Sequence, residues 1–355
     1  MDKVRVLFLP SVDADNVNAQ SLNVREIALR LNPQLFQVTL WFEREPDTRL
    51  LGSPAIRLEK LPPRQRTLRI LKEMASGYDI IAYMDFSPAS YTILRLPRAL
   101  RRGATAVFHA EGVMQLVNPS RTLWLLYDGV FPHCDVYSAI TQFVAADVFK
   151  KIGKTVSYIL PAGVDTNLFT PPASRMNSVP VVLFAGAVIE RKGPQIVVEA
   201  GRRFPNAIFR ILGTAREGFD EVLRQQIARL DVRNVTLEGP KSQVELLEIM
   251  RNCDIFLLPS RLEGMPKVTL EAAATGLPCV VFRDYQTPSI VDGVTGFQVG
   301  TTEEMMQALE TLINDHALRE QMGKKAREHV QQFSWDVVSR QWQNAYLEIA
   351  ASRLS

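Results

Sequence analysis

Short runs of β-branched and other apolar residues alternate along the chain with segments whose apolar positions recur every three or four residues. "VRVLFL" reads as a strand, Val24, Ile27, Ala28 and Leu31 then fall on one helical face, and "QVTLWF" returns to strand. Ser21 is the expected cap of that helix and Asn32-Pro33 its end, because proline cannot continue a helix. "YDIIAYM", "ATAVFHA", "DVYSAI" and "VSYILPA" extend the series. Strands alternating with helices predict a parallel sheet covered on both faces. At 170–179 two prolines and polar residues, "TPPASRMNSV", break the rhythm, and "PVVLFAGAV" restarts it. The second half repeats the logic with "AIFRILG", "NVTLEG", "CDIFLLPS" and "PCVVFRD", separated by helices such as the one placing Leu246, Ile249, Met250 and Cys253 on one face. The expected fold class is therefore α/β, with two doubly wound domains. Ligands of such sheets sit outside the carboxyl ends of the strands, so a cleft between the two domains is the expected site.

Length and composition agree: 355 residues, 46% of them apolar, support two cores. The longest apolar runs fall short of the roughly 20 residues of a bilayer-spanning helix, and "MDKVRVLFLPSVDADN" breaks at Pro10 without a cleavage site. A cytoplasmic protein is expected. Cys134, Cys253 and Cys279 lie far apart, which fits neither a disulfide framework nor a zinc cluster. The net charge of +3 is uneven, with 20 Lys/Arg against 16 Asp/Glu in residues 1–165 and 21 against 22 beyond. The excess lies in Arg57–Lys72 and Arg95–Arg102, where apolar residues are interleaved. Two readings stand side by side: a peripheral contact with the inner face of a membrane, or solvated helix faces. Nucleic-acid binding is not expected, since no aromatic-rich basic motif accompanies this modest charge.

A dinucleotide-binding oxidoreductase needs a glycine-rich turn after the first strand, but the first glycine is Gly52. Gly153-Lys154-Thr155 resembles the end of a phosphate-binding loop, yet Val148 stands where its first glycine belongs, so it reads as a turn. Asp13-Ala14-Asp15 reads as loop polarity. The second half is more specific. In "LFAGAVIERKG", Gly186 follows a buried strand, and Arg191, Lys192 and Gly193 open a helix, which sets cations beside a helix N-terminus where polyanions bind. In "SRLEGMPKVTLEAAATGLP", Glu263 and Glu271 are eight positions apart in a largely apolar segment. A helix starting near Pro266 puts Glu263 on the loop before it and Glu271 about five residues in. Gly264, Met265, Lys267 and Val268 would then offer backbone amides to an anion, with Gly264 permitting close approach. Leu270, Ala272, Ala273 and Ala274 surround Glu271, where an unpaired carboxylate is costly.

These segments closely resemble the retaining nucleotide-sugar glycosyltransferases of family 4, the group 1 transferases with GT-B architecture. The resemblance runs through "LPAGVDTNLFTPP", "FAGAVIERKG", "ILG", "NVTLEGP", "DIFLLPSRLEGMPKVTLEAAATGLPCVV", "VDGVTGFQV" and "MGKKAREHV", in the family's order. It implies an acceptor-binding Rossmann-like domain over 1–170, a linker over 171–179, a nucleotide-sugar-binding domain over 180–335, and a closing helix over 336–355 that crosses back. It assigns Glu263 to hydroxyls of the donor sugar, Glu271 to the ribose, and Lys192 with Arg191 to the leaving diphosphate. Gly186, Gly213, Pro266 and the amides around Gly264 complete the donor site, and His109 positions sugar or acceptor. Gly239-Pro240-Lys241 would lie at the base-binding edge. The implied donor is UDP-linked and is a substrate, with no resident cofactor and no metal; the acceptor is a glycan, a glycolipid or a small molecule. Two departures stand out. Ala187 replaces an arginine of many members, and Asn16, Asn18 and Gln20 occupy a loop where relatives often carry a glycine pair. A nucleotide-sugar epimerase of the same fold and a noncatalytic nucleotide-sugar-binding subunit are the alternatives.

Overall fold

The computed structural model describes residues 2–14, 19–82, 103–113, 131–175 and 177–352. The chain divides into two units, Met1–Ala162 with Trp335–Ser355, and Gly163–Ser334. In unit 1, β1 (Val4–Ser11), α1 (Ala19–Arg30), β2 (Phe36–Phe42), β3 (Ile56–Lys60), α2 (Arg66–Met74), β4 (Ile80–Ala82), β5 (Thr105–Ala110), β6 (Val136–Ala139), α3 (Gln142–Ile152) and β7 (Tyr158–Ile159) follow in order. The strands form one sheet, ordered β3-β2-β1-β4-β5-β6-β7, with every pairing parallel. All six residues of β5 are buried, Thr105 and His109 included, as in a strand covered on both faces.

The closing helix, Trp335–Ala351, belongs to this unit although it comes last in the chain. Its buried face, Trp335, Val338, Trp342, Ala345, Tyr346 and Ile349, joins Val6, Phe8, Ile27, Leu31 and Leu40 in one core. Each large apolar side chain buried this way contributes about 1.5–3 kcal/mol. Ser21 is not the cap of α1: it lies inside the first turn, and its hydroxyl donates to the Ser11 carbonyl at 2.6 Å, tying helix to strand. Gly153 ends α3 in the left-handed conformation, so Gly153-Lys154-Thr155 is a helix stop.

Unit 2 runs β8 (Val181–Ala185), α4 (Pro194–Arg203), β9 (Ile208–Leu212), α5 (Phe219–Arg229), β10 (Val235–Leu237), α6 (Gln243–Arg251), β11 (Ile255–Leu258), α7 (Lys267–Ala274), β12 (Cys279–Phe282), β13 (Gly296–Val299), α8 (Thr302–Asn314) and α9 (His316–His329). Its sheet is also parallel, ordered β10-β9-β8-β11-β12-β13. The order reverses between β8 and β11, which places a crevice at their carboxyl ends. Both units are thus Rossmann-like α/β domains.

The segment Gly163–Arg175, partly expected as linker, is bonded to unit 2. Arg327 donates to the Thr166 and Phe169 carbonyls, Arg251 donates to Thr170, and Arg175 donates to the Thr275 and Gly276 carbonyls. No helix among the described residues is long and apolar enough to cross a membrane. Of the two basic runs, Arg95–Arg102 lies outside the described residues. In the other, Arg57, Arg66 and Arg69 pair with Glu59, Glu73 and Glu43, which neutralises much of the patch.

Candidate functional site

The loops that follow β8 and β11 meet at the reversal point. After β8 the chain runs through Gly186 and Ala187 into a single 3-10 turn, Glu190–Lys192, which Gly193 closes at φ 75. A Cβ on Gly193 would overlap the Pro259 carbonyl, so glycine lets this turn press against the chain leaving β11. The consequence is a charge cluster. Lys192 Nζ donates to Glu263 Oε1, while Arg191 Nη1 donates to the Leu262 carbonyl at 2.6 Å and lies 3.6 Å from Glu263 Oε1. Glu263 is only 7% exposed, which makes a cationic partner necessary.

Pro266 was expected as the first helical residue and is instead the N-cap of α7, at φ −63 and ψ 118, so Lys267 begins the helix. Proline fixes φ but leaves ψ extended here, which holds Glu263–Pro266 as a loop. Among the described residues, the backbone amides of Gly264, Met265 and Val268 donate to no acceptor. The Thr269 amide and hydroxyl both return to the Pro266 carbonyl, at 3.1 and 2.7 Å. That hydroxyl also meets Ser289 at 2.9 Å, and Ser289 meets Thr287 at 2.8 Å, a buried chain that fixes the start of the helix. Glu271, in the middle of α7, is half-buried, and its carboxylate has no hydrogen bond or ion pair among the described residues. Burial raises its pKa to about 7, and Lys267 one turn back offsets only part of the rise.

Gly186 and Gly213 end β8 and β9 side by side. The Gly186 amide donates to the Leu212 carbonyl at 3.0 Å, and the Gly213 amide to the Gly239 carbonyl at 2.9 Å. Gly213 takes φ +143, and any Cβ on it would overlap the Gly186 carbonyl. His109 belongs to unit 1. It is buried on β5, with Nδ1 3.0 Å from Ser138 Oγ and its ring 4.6 Å from that of Trp342. Burial lowers its pKa to about 3, so the imidazole is neutral. Asn16, Asn18 and Asp15 lie outside the described residues, whereas Gln20 sits in the first turn of α1. Asp13 accepts from the Glu43 and Arg44 amides at 3.0 and 2.7 Å, which is a structural duty.

The structure therefore brings Lys192, Arg191, Glu263, the free amides and Glu271 into one unit, and holds His109 in the other. Two features had no reading in the sequence. Tyr285 is fully buried after β12, and Arg175 and Arg327 grip the carbonyls of Ala274, Thr275 and Gly276 at the end of α7. For Tyr285 the position beyond a strand is a weak signal, since strand ends carry ligands in this topology but an aromatic there reads first as core. Arginines that bind carbonyls leave none.

Such a constellation, at the reversal point of a doubly wound sheet, offers amides and cations to an anion and a carboxylate to hydroxyls. Residues 171–329, nearly all of unit 2, match the family of glycosyl transferases group 1. The chain is 32% identical over 213 residues to a D-inositol 3-phosphate glycosyltransferase of Corynebacterium aurimucosum, covering 54% of this chain and 51% of that protein. It is 25% identical over 281 residues to a GDP-mannose-dependent monoacylated alpha-(1-6)-phosphatidylinositol monomannoside mannosyltransferase of Corynebacterium glutamicum, covering 70% and 73%. The chain spans about half the length of the inositol-phosphate transferases it matches. Among solved structures, Anabaena Alr3699/HepE in complex with UDP and glucose superimposes with a TM-score of 0.78 at 18% identity, covering 97% of this chain and all of that one (100%). Sucrose-phosphate synthase from Thermosynechococcus elongatus gives 0.78 at 18% identity, covering 99% and 100%. These two establish the fold, that of GT-B glycosyltransferases.

Proposed function

We propose that this chain is a retaining glycosyltransferase of family 4 that moves a sugar from a UDP-linked donor to a glycan, glycolipid or small-molecule acceptor in the cytoplasm. One observation carries the reading: among the described residues, three amides lacking acceptors and a carboxylate lacking a donor share the loop and helix at the reversal point of unit 2. A nucleoside diphosphate complements both. Its phosphate oxygens accept from Gly264, Met265 and Val268, and its ribose hydroxyls donate to Glu271. The UDP held by the Anabaena neighbour and the GDP-mannose named for the Corynebacterium relative belong to the same ligand class.

Lys192, with Arg191 beside it, stabilises the charge that gathers on the departing diphosphate, so the chemistry requires no metal. Glu263, released from Lys192, accepts from the sugar hydroxyls. The bond from the anomeric carbon to the phosphate breaks as the acceptor oxygen bonds to the same face of that carbon. The acceptor proton passes to the leaving phosphate oxygen. His109, neutral and donating or accepting without charge, positions sugar or acceptor. Ala187 removes one cation of the usual clamp and shifts that load to Lys192 and Arg191.

The test is thermal stabilisation by UDP- and GDP-linked sugars, because a ligand that binds only the folded chain raises its melting temperature. Wild type is expected to be stabilised by a UDP-sugar. Glu271→Ala is expected to lose at least tenfold in affinity while melting without ligand near the wild-type temperature; Lys192→Met is expected to lose at least as much and to melt lower, because it takes a cation from buried Glu263. Unchanged affinity in Glu271→Ala would refute the ribose role, and stabilisation by GDP-sugars alone would reassign the base.

A further inference from the structure

β12 runs parallel to β11, with Phe256 opposite Cys279 and Leu258 opposite Val281, so the loops after both strands leave the same edge of the sheet. Glu263 stands on the first loop. Tyr285 stands on the second, at the end of the 3-10 turn Arg283–Tyr285, which Gln286 terminates in the left-handed conformation at φ 43. Such a conformation is uncommon for a residue with a side chain, and it fixes where the tyrosine ring enters the protein. The ring is fully buried, and its hydroxyl makes no hydrogen bond among the described residues. Leaving a buried hydroxyl unsatisfied is destabilising, a cost that a phenylalanine would avoid. Burial raises its pKa well above the usual value, and the Glu263 carboxylate raises it further, followed by Cys279 and Asp284. The hydroxyl is therefore a spare donor within electrostatic reach of a carboxylate.

In the free protein Glu263 already has its donor, Lys192. A diphosphate that takes Lys192 leaves Glu263 buried and short of a partner. We propose that Tyr285 is a positioning residue of the donor-sugar subsite, whose hydroxyl donates to Glu263 once a bound pyrophosphate has drawn Lys192 away, aiming the carboxylate at the sugar hydroxyls. The inference rests on the donor-site reading above and adds a donor that this reading does not contain. It also gives the unsatisfied hydroxyl a purpose: the bond absent in the free protein forms with ligand.

Tyr285→Phe deletes only the oxygen, so it tests the idea with little risk to folding. Binding of UDP, UDP-glucose, GDP and GDP-mannose to the full chain is measured by calorimetry, alongside melting temperature. The expected result is roughly tenfold weaker binding of the nucleotide sugar that wild type accepts. The bare nucleoside diphosphate should bind within twofold of wild type, and melting should be unchanged or higher. A variant that binds nucleotide sugar as wild type does overturns the role of Tyr285 and leaves the donor site standing. Equal losses for sugar-bearing and bare diphosphates overturn it as well, since they signal general damage to the loop. Wild type that binds none of the four ligands overturns the donor site and this inference together.

Discussion

Glu271 loses its proton near pH 4.5 in an unfolded chain but near 7 in the folded one, because burial disfavours its charged form. The folded state therefore binds the extra proton between those values, and the stability this group contributes is present below about 4.5 and lost as pH rises through 7. Glu271→Gln is expected to match wild type near pH 4.5 and to exceed it by on the order of 1–2 kcal/mol at pH 8. Urea unfolding at both values checks this. A gap that fails to widen with pH would show that the carboxylate is not held against its solvation. Glu263 and Glu271 stood out in the sequence because charge inside an apolar run is costly, and the structure shows that cost: the first is buried against Lys192 and the second has its pKa raised by burial. Tyr285 was not legible, because an aromatic after a strand reads first as core. Ser21 misled because a serine before a helical stripe resembles a cap, while its hydroxyl is engaged by the Ser11 carbonyl of β1.

At the scale of elements, periodicity found most of the strands and their parallel sense, since elements such as β11 and β12 are apolar throughout and fully buried, but it missed β3 (IRLEK) and β13 (GFQV), which are only partly buried. It could not reveal what seats them. The turn carrying Lys192 depends on Gly193, whose positive φ and contact with the Pro259 carbonyl follow from tertiary packing. Gly193→Ala is expected to cost roughly 2–4 kcal/mol, from strain and overlap combined. It should also weaken donor binding more than tenfold by moving Lys192 off Glu263. Equilibrium unfolding and ligand titration measure the two effects, and an alanine variant that keeps both intact would sink the argument. The carboxyl end of α7, with no basic residue of its own, is held by Arg175 and Arg327 from distant positions. Their partners are carbonyls, which every sequence has everywhere, so this fixation could be seen only in three dimensions.

At the scale of the molecule the units differ in continuity. Unit 2 is one uninterrupted stretch, Gly163–Ser334, whereas unit 1 needs Trp335–Ala351 to cover Phe8, Ile27 and Leu40. A fragment spanning 163–334 is expected to unfold cooperatively by circular dichroism. A fragment spanning 1–162 is expected to bind hydrophobic dyes and aggregate until the closing helix is supplied in trans. A well-folded 1–162 would contradict the role given to that helix. The two-domain pattern was legible in the sequence, but the division was not placed by the prolines at 171–172, because Arg251 and Arg327 bind the chain just before them to unit 2. This interleaving orders events on the ribosome. The half made first must wait, its greasy sheet face uncovered, through 189 further residues (162 to 351). At about 5–20 residues per second that is roughly 10–40 s. The half made second matures earlier, and the nascent first half is the stage at which chaperones have something to hold.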